Sequence, residues 1–175
     1  RSGLSVIDVT PIGEPSGGWH EDTDGTAMGI SMLGDLQFDS AFHYLADREN
    51  GVRTFYGYWH KTYLSYYQEL GGVDTPGWAY DVFATGQTRY VADGDKGLQI
   101  LSGGTTGSCD TPGTAVGVTV SGTYAYVADT FSGLRVIDVL DTEHPSEVGF
   151  LDTAGNAEEV AVLGNHIFVA DGGAG

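Results

Sequence analysis

Short apolar runs and glycine-rich breaks alternate along this chain. TRYV before Ala92, YAYV before Ala128 and HIFV before Ala170 mix small or polar residues with bulky ones. That is the pattern of half-buried strands. Each run ends in the same signature, Ala-Asp-x-x-x-Gly, found at Ala46, Ala92, Ala128 and Ala170. Another strand-like run follows it, as in GVRTFYGY from Gly51, GLQILS from Gly97 and GLRVIDV from Gly133, and the chain opens on a related run, GLSVIDV from Gly3.

A second signature, Asp-Thr-x-Gly, stands at Asp22, Asp74, Asp110 and Asp152. An apolar segment and a small glycine turn follow each copy. Every repeat therefore reads as four strands. A follows DTxG, B ends in ADxxxG, C begins at its glycine, and D precedes the next DTxG. Successive ADxxxG aspartates lie 46, 36 and 42 residues apart, the period of a four-stranded propeller blade. The expectation is an all-β protein, a β-propeller of four-stranded antiparallel blades with almost no helix, spanning residues 1–175 as one domain. The chain opens at strand C and stops after strand B. Four blades result if the N-terminal C and D strands pair with the C-terminal A and B strands, and closure would remove open sheet edges. The alternative is a segment of a longer propeller. With no starting Met, either a leader has been removed or the chain is a piece of something longer.

The recurrence also bears on metal chemistry. Taken alone, Asp93 and Asp95 in DGDKG, or Asp22 and Asp24 in DTDG, look like the start of a calcium loop. Asp95 aligns with Glu49, Phe131 and Gly173, however, and Asp24 with Pro76, Pro112 and Ala154. Only the first aspartate of each motif recurs. Asp47, Asp93, Asp129 and Asp171, with Asp22, Asp74, Asp110 and Asp152, are read as turn residues whose carboxylates accept backbone hydrogen bonds. Calcium at Asp93/Asp95 and Asp22/Asp24 is the competing reading, and no other cofactor is expected.

YVADGDKGLQIL, YAYVADTFSGLRVIDV followed by HPSEVGFLDT, and GLSVIDV resemble the LVIVD-repeat family. The resemblance covers nearly the whole chain and departs from it at residues 11–21 and 56–66. It implies a β-propeller from an extracellular or cell-surface prokaryotic protein. It carries no catalytic residues, and a fold does not name a function.

Charge narrows the partners. The net charge is -17, from 24 acidic and 7 basic residues, a surface that repels phosphate backbones and argues against nucleic acid. No apolar run is long enough to span a membrane. A lone cysteine, Cys109, allows no internal disulfide and aligns with Val73 and Leu151 before DTxG, as a small buried residue would.

In this strand order the B–C and D–A connections share one face, which collects the repeat aspartates. The opposite face carries the departures. YGYWHKTYLSYY, read as a C–D connection, brings Tyr56, Tyr58, Trp59, His60, Tyr63, Tyr66 and Tyr67 together, and a second connection from Pro11 brings Trp19 and His20. The first A–B turn is lengthened through Asp35 to Ser40. Large amphipathic rings suit a protein partner, self-association or a glycan, while local core is the structural alternative. A metal shared by His20 and His60 would lack a third ligand. No nucleophile elbow, P-loop or zinc motif occurs. The leading expectation is a non-enzymatic binding or assembly module, secreted or displayed on the cell surface. The alternatives are a metal-dependent propeller enzyme drawing on the inner carboxylates Asp81, Glu158 and Glu159, and a carbohydrate-binding propeller using the Asp-lined mouth.

Overall fold

A computed structural model describes residues 3–7, 18–23, 25–35, 40–60 and 63–173. These form antiparallel strands and turns with no helix. The first sheet holds β1 (Gly3–Ile7) and β2 (Gly18–Asp22). Three complete blades follow. Blade one holds β3 (Gly29–Asp35), β4 (Ser40–Ala46), β5 (Val52–His60) and β6 (Tyr63–Val73). Blade two holds β7 (Asp81–Thr85), β8 (Thr88–Ala92), β9 (Leu98–Ser102) and β10 (Thr105–Cys109). Blade three holds β11 (Gly117–Ser121), β12 (Tyr124–Ala128), β13 (Leu134–Asp138) and β14 (Ser146–Leu151). A final pair, β15 (Asn156–Leu163) and β16 (His166–Gly172), stands as its own sheet. The expected β-propeller architecture is present: the inner strand of each complete blade packs on that of the next, β3 on β7, β7 on β11 and β11 on β15.

The core lies between blades, because each strand pair exposes one apolar row to either side. Tyr90, Ala92, Leu98 and Ile100 of blade two meet Val118, Val127 and Ile137 of blade three. Tyr44, Ala46 and Val52 of blade one meet Val82 and Ala84 of blade two. The turns tie the same seams. Arg48, Gly94 and Thr130, the residue after each ADxxxG aspartate, exchange a pair of backbone hydrogen bonds with Ala79, Ala115 and Ala157 of the following sheet. All three have positive φ, at 43°, 61° and 46°.

The expected pairing of β1 with β16 is absent from the sheet order of the described residues: the two belong to separate two-stranded sheets. Positions that are buried at the other seams are exposed between the β15–β16 pair and blade one. Val82, Val118 and Val160 are 3%, 3% and 4% exposed, whereas Ile30, at the same repeat position, is 49% exposed. Phe168 is 56% exposed, whereas its equivalents Tyr44 and Tyr90 are 7% and 6% exposed.

Two expected connections prove to be strand. β5 and β6 pair out to His60 and Tyr63, so residues 56–60 and 63–67 extend the outer hairpin of blade one beyond its neighbours. Trp19 and His20 lie on β2, paired with Val6 and Ser5. Alternating aromatics favour a pleated sheet once a partner strand is available, and this outweighs the departure from the repeat that suggests a connection. In the first A–B turn, Asp35 and Ser40 close the ladder, and residues 36–39 lie outside the described set.

Candidate functional site

The repeat aspartates clasp the linkers that enter their own blades. Asp47, Asp93 and Asp129 are fully buried. In each, one carboxylate oxygen accepts the hydroxyl of the DTxG threonine (Thr23, Thr75 or Thr111) and the other accepts the backbone N–H of the DTxG glycine (Gly25, Gly77 or Gly113). Asp171 takes the Gly155 N–H at 3.0 Å in the same way. The two sequence signatures are thus the two halves of one hydrogen-bonded joint. Burial pushes the Asp93 and Asp129 carboxyls up, against the opposing pull of these hydrogen bonds. Near Asp129 the buried Arg135 guanidinium pulls the same way as the hydrogen bonds; it lies 3.8 Å from that carboxylate and 3.5 Å from Glu147 and from Asp152.

Both carboxylate oxygens of Asp93 are therefore engaged, and Asp95 points into solvent, 3.1 Å from Lys96. Asp74, Asp110 and Asp152 are exposed, so in the DTxG element it is the threonine and glycine, rather than the aspartate, that hold the joint. The Asp22 side chain and the whole of Asp24 lie outside the described residues. Among the described residues, no three His, Cys, Asp or Glu side chains are grouped to hold a metal.

The inner carboxylates line a cavity of about 400 Å³ between β3, β7 and β15, with Asp81, Glu158 and Glu159 on its wall beside Gly29 and Asn156. Asp81 is structural on one side, accepting the Val118 N–H at 2.9 Å and so linking blade two to blade three. Burial pushes the Asp81 and Glu159 carboxyls up, and the Asp81 charge adds to the effect on Glu159. Cys109 is half-buried and burial pushes its thiol up, as suits a packing residue.

The aromatic face divides in two. Tyr67, expected at the contact surface, is buried at 5% and stacks on Phe55 at 5.7 Å, with His43 tilted against it at 5.5 Å. The pairing Gly57↔Tyr67 puts it on the core side of the sheet, next to the His43↔Phe55 row. The opposite side carries a ridge: Phe42 pairs with Tyr56, and Tyr58 with Tyr66 two residues further out. Phe42, Tyr58 and Tyr66 are 40%, 39% and 47% exposed, and Phe42 packs on Tyr56 at 5.2 Å. The side chains of Trp19, His20, Trp59, His60 and Tyr63 lie outside the described residues, and with them the idea of a shared His20–His60 metal.

Sequence reasoning missed a second aromatic pair on the turn face. Trp78 follows DTPG, where the other repeats place Thr26, Thr114 and Asn156, and the residue is 52% exposed. Arg48 lies 5.4 Å over Trp78 and 5.3 Å over Tyr80. A tryptophan among small polar equivalents was the available signal.

The chain matches the LVIVD repeat over residues 76–101, 112–153 and 154–175, just over half its length, and belongs to that family. Its fold is similar to the one in the crystal structure of the computationally designed Ika4 protein, with a TM-score of 0.59 over 87% of this chain and 89% of that one. Identity is 8%, so the likeness concerns fold alone. No curated protein matches the sequence. Among the described residues, no helix is long and apolar enough to cross a membrane.

Proposed function

We propose that this protein is a non-catalytic binding and assembly module, secreted or displayed on a cell surface, that docks on another protein through the aromatic ridge of blade one. One observation carries the reading. Phe42 on β4 and Tyr56, Tyr58 and Tyr66 on β5–β6 share one side of a sheet whose outer hairpin extends beyond its neighbouring blades, and three of them are well exposed. Aromatic rings concentrated in this way are typical anchors of protein contacts. Each exposed remainder is roughly 80 Å², which at about 25 cal/mol per Å² is worth about 2 kcal/mol per ring before the costs of association. The engagement of Asp47, Asp93 and Asp129 inside their own turns supports a binding role over a catalytic one. The first partner to test is a second copy of the chain.

Hydroxyl-radical footprinting across a concentration series tests this. Tyr58 and Tyr66 become protected as the protein associates, while Tyr124, 41% exposed on blade three, keeps its reactivity. Equal protection of all three tyrosines, or association without protection of the ridge, contradicts the reading.

A further inference from the structure

We infer that Trp78 and Tyr80 form a second binding site, for the ring of a neutral sugar, on the turn face where blade two meets blade three. It rests on observations independent of the ridge. The two rings, with Gly94, Asp95 and Thr114, line a surface cavity of about 300 Å³. The repeat requires no aromatic at position 78, and Trp78 is half-exposed.

The site is held in shape. Arg48 spans both rings, and its backbone is locked by two hydrogen bonds to Ala79, at 3.0 and 3.1 Å. That geometry gives Arg48 a φ of 43°, where blade two uses Gly94. Gly94 lets Tyr80 lie against the turn: a methyl group there would sit 3.3 Å from Tyr80 Cε2.

The chemistry of the walls selects the ligand. A cationic guest would meet Arg48 already over both rings, and an Asp95 carboxylate already neutralised by Lys96 at 3.1 Å. An anionic guest would be repelled by a chain of net charge -17. A neutral hexose needs an apolar platform for its C–H face, with acceptors and donors around the rim for its hydroxyls. Trp78 supplies the platform, Asp95 an acceptor and Thr114 a hydroxyl.

The test is calorimetric titration of the intact chain with maltohexaose, cellohexaose and chitohexaose, comparing wild type, Trp78→Ala, Asp95→Ala and Tyr58→Ser/Tyr66→Ser, with folding checked by circular dichroism. At least one oligosaccharide binds wild type saturably. Trp78→Ala weakens it at least about ten-fold, as loss of a central aromatic contact does, Asp95→Ala weakens it less, and the ridge variant binds like wild type. No saturable binding by any of the three sugars overturns the site, as does equal affinity in a folded Trp78→Ala. Tetramethylammonium binding at Trp78 in place of the sugars would identify a cation site and also overturn it. Loss of binding only in the ridge variant would move the sugar to the ridge.

Discussion

Replacing Asp93 by alanine removes the acceptor around which blade two is joined. The carboxylate is fully buried, takes the Thr75 hydroxyl on one oxygen, and holds the Gly77 N–H at 2.8 Å on the other. The substitution strands two donors at a buried turn, each costing about 1–3 kcal/mol. Part of that returns, because the ionised carboxylate no longer has to be desolvated, the same burial that pushes the group up. The net expectation is a loss of about 2–4 kcal/mol, a large share of the 5–15 kcal/mol typical of a domain. Asp93→Asn is milder, at about 1 kcal/mol: its oxygen still accepts from Gly77, and its amide donates to Thr75, whose hydroxyl turns to accept.

The pH dependence has a definite sign. A carboxyl raised in the folded state binds its proton more tightly there than in the unfolded chain. Its contribution therefore favours folding at low pH and is lost as pH rises through the ordinary carboxylate range and the raised folded value. Asp93→Asn removes this part of the slope. Urea unfolding of the three proteins at pH 3, pH 5 and pH 7, with calcium and with chelator, measures all of it. If Asp93→Ala unfolds within about 0.5 kcal/mol of wild type, the range expected of an unremarkable surface change, the joint is not structural. If chelation of wild type matches the mutational loss, the residue acts through a cation.

Three further outcomes follow from the same geometry. Gly97→Ala, at φ +64° with its new methyl 2.4 Å from the Cys109 carbonyl oxygen, should lower stability by about 2 kcal/mol or more in thermal unfolding; an unchanged midpoint would mean the turn can relax. Val118→Ala, at 3% exposure between blades two and three, should cost about 1–3 kcal/mol of urea stability, while Val148→Ala, on the exposed edge strand at 55%, should cost little. In a Cys109→Ser background, Ile30→Cys should react with maleimide much faster than Val82→Cys, since the parent residues are 49% and 3% exposed; equal protection would show that β15–β16 has closed onto β3.

The blades were legible because their determinants are local and repeated. Each pairs a strand-period run with a turn that needs Asp and Gly at fixed places. The second aspartate of DGDKG could be discounted as a ligand because Glu49, Phe131 and Gly173 stand at its equivalents. That the two signatures meet was not legible, since Thr75 and Asp93 are brought together by a full hairpin. The long β5–β6 hairpin was hidden for a different reason. Its residues break the repeat, and its two register shifts, at Thr54/Phe55 and Tyr58/Trp59, decide which tyrosines face the core. Alternation alone could not separate the buried Tyr67 from the exposed Tyr66. The Trp78 cavity gathers Asp95 and Thr114 from two blades, and Arg48 reaches its rings from the preceding one, contacts that only the seams between blades create.

The central claim is a ridge built to bind, and the most direct test is the mass of the chain in solution by light scattering, for wild type and for Tyr58→Ser/Tyr66→Ser, each with and without chelator. Wild type should form assemblies larger than one chain, indifferent to chelation, and the double variant should be a folded monomer. A wild-type monomer, or assemblies that survive the double substitution or dissolve on chelation, would contradict that claim.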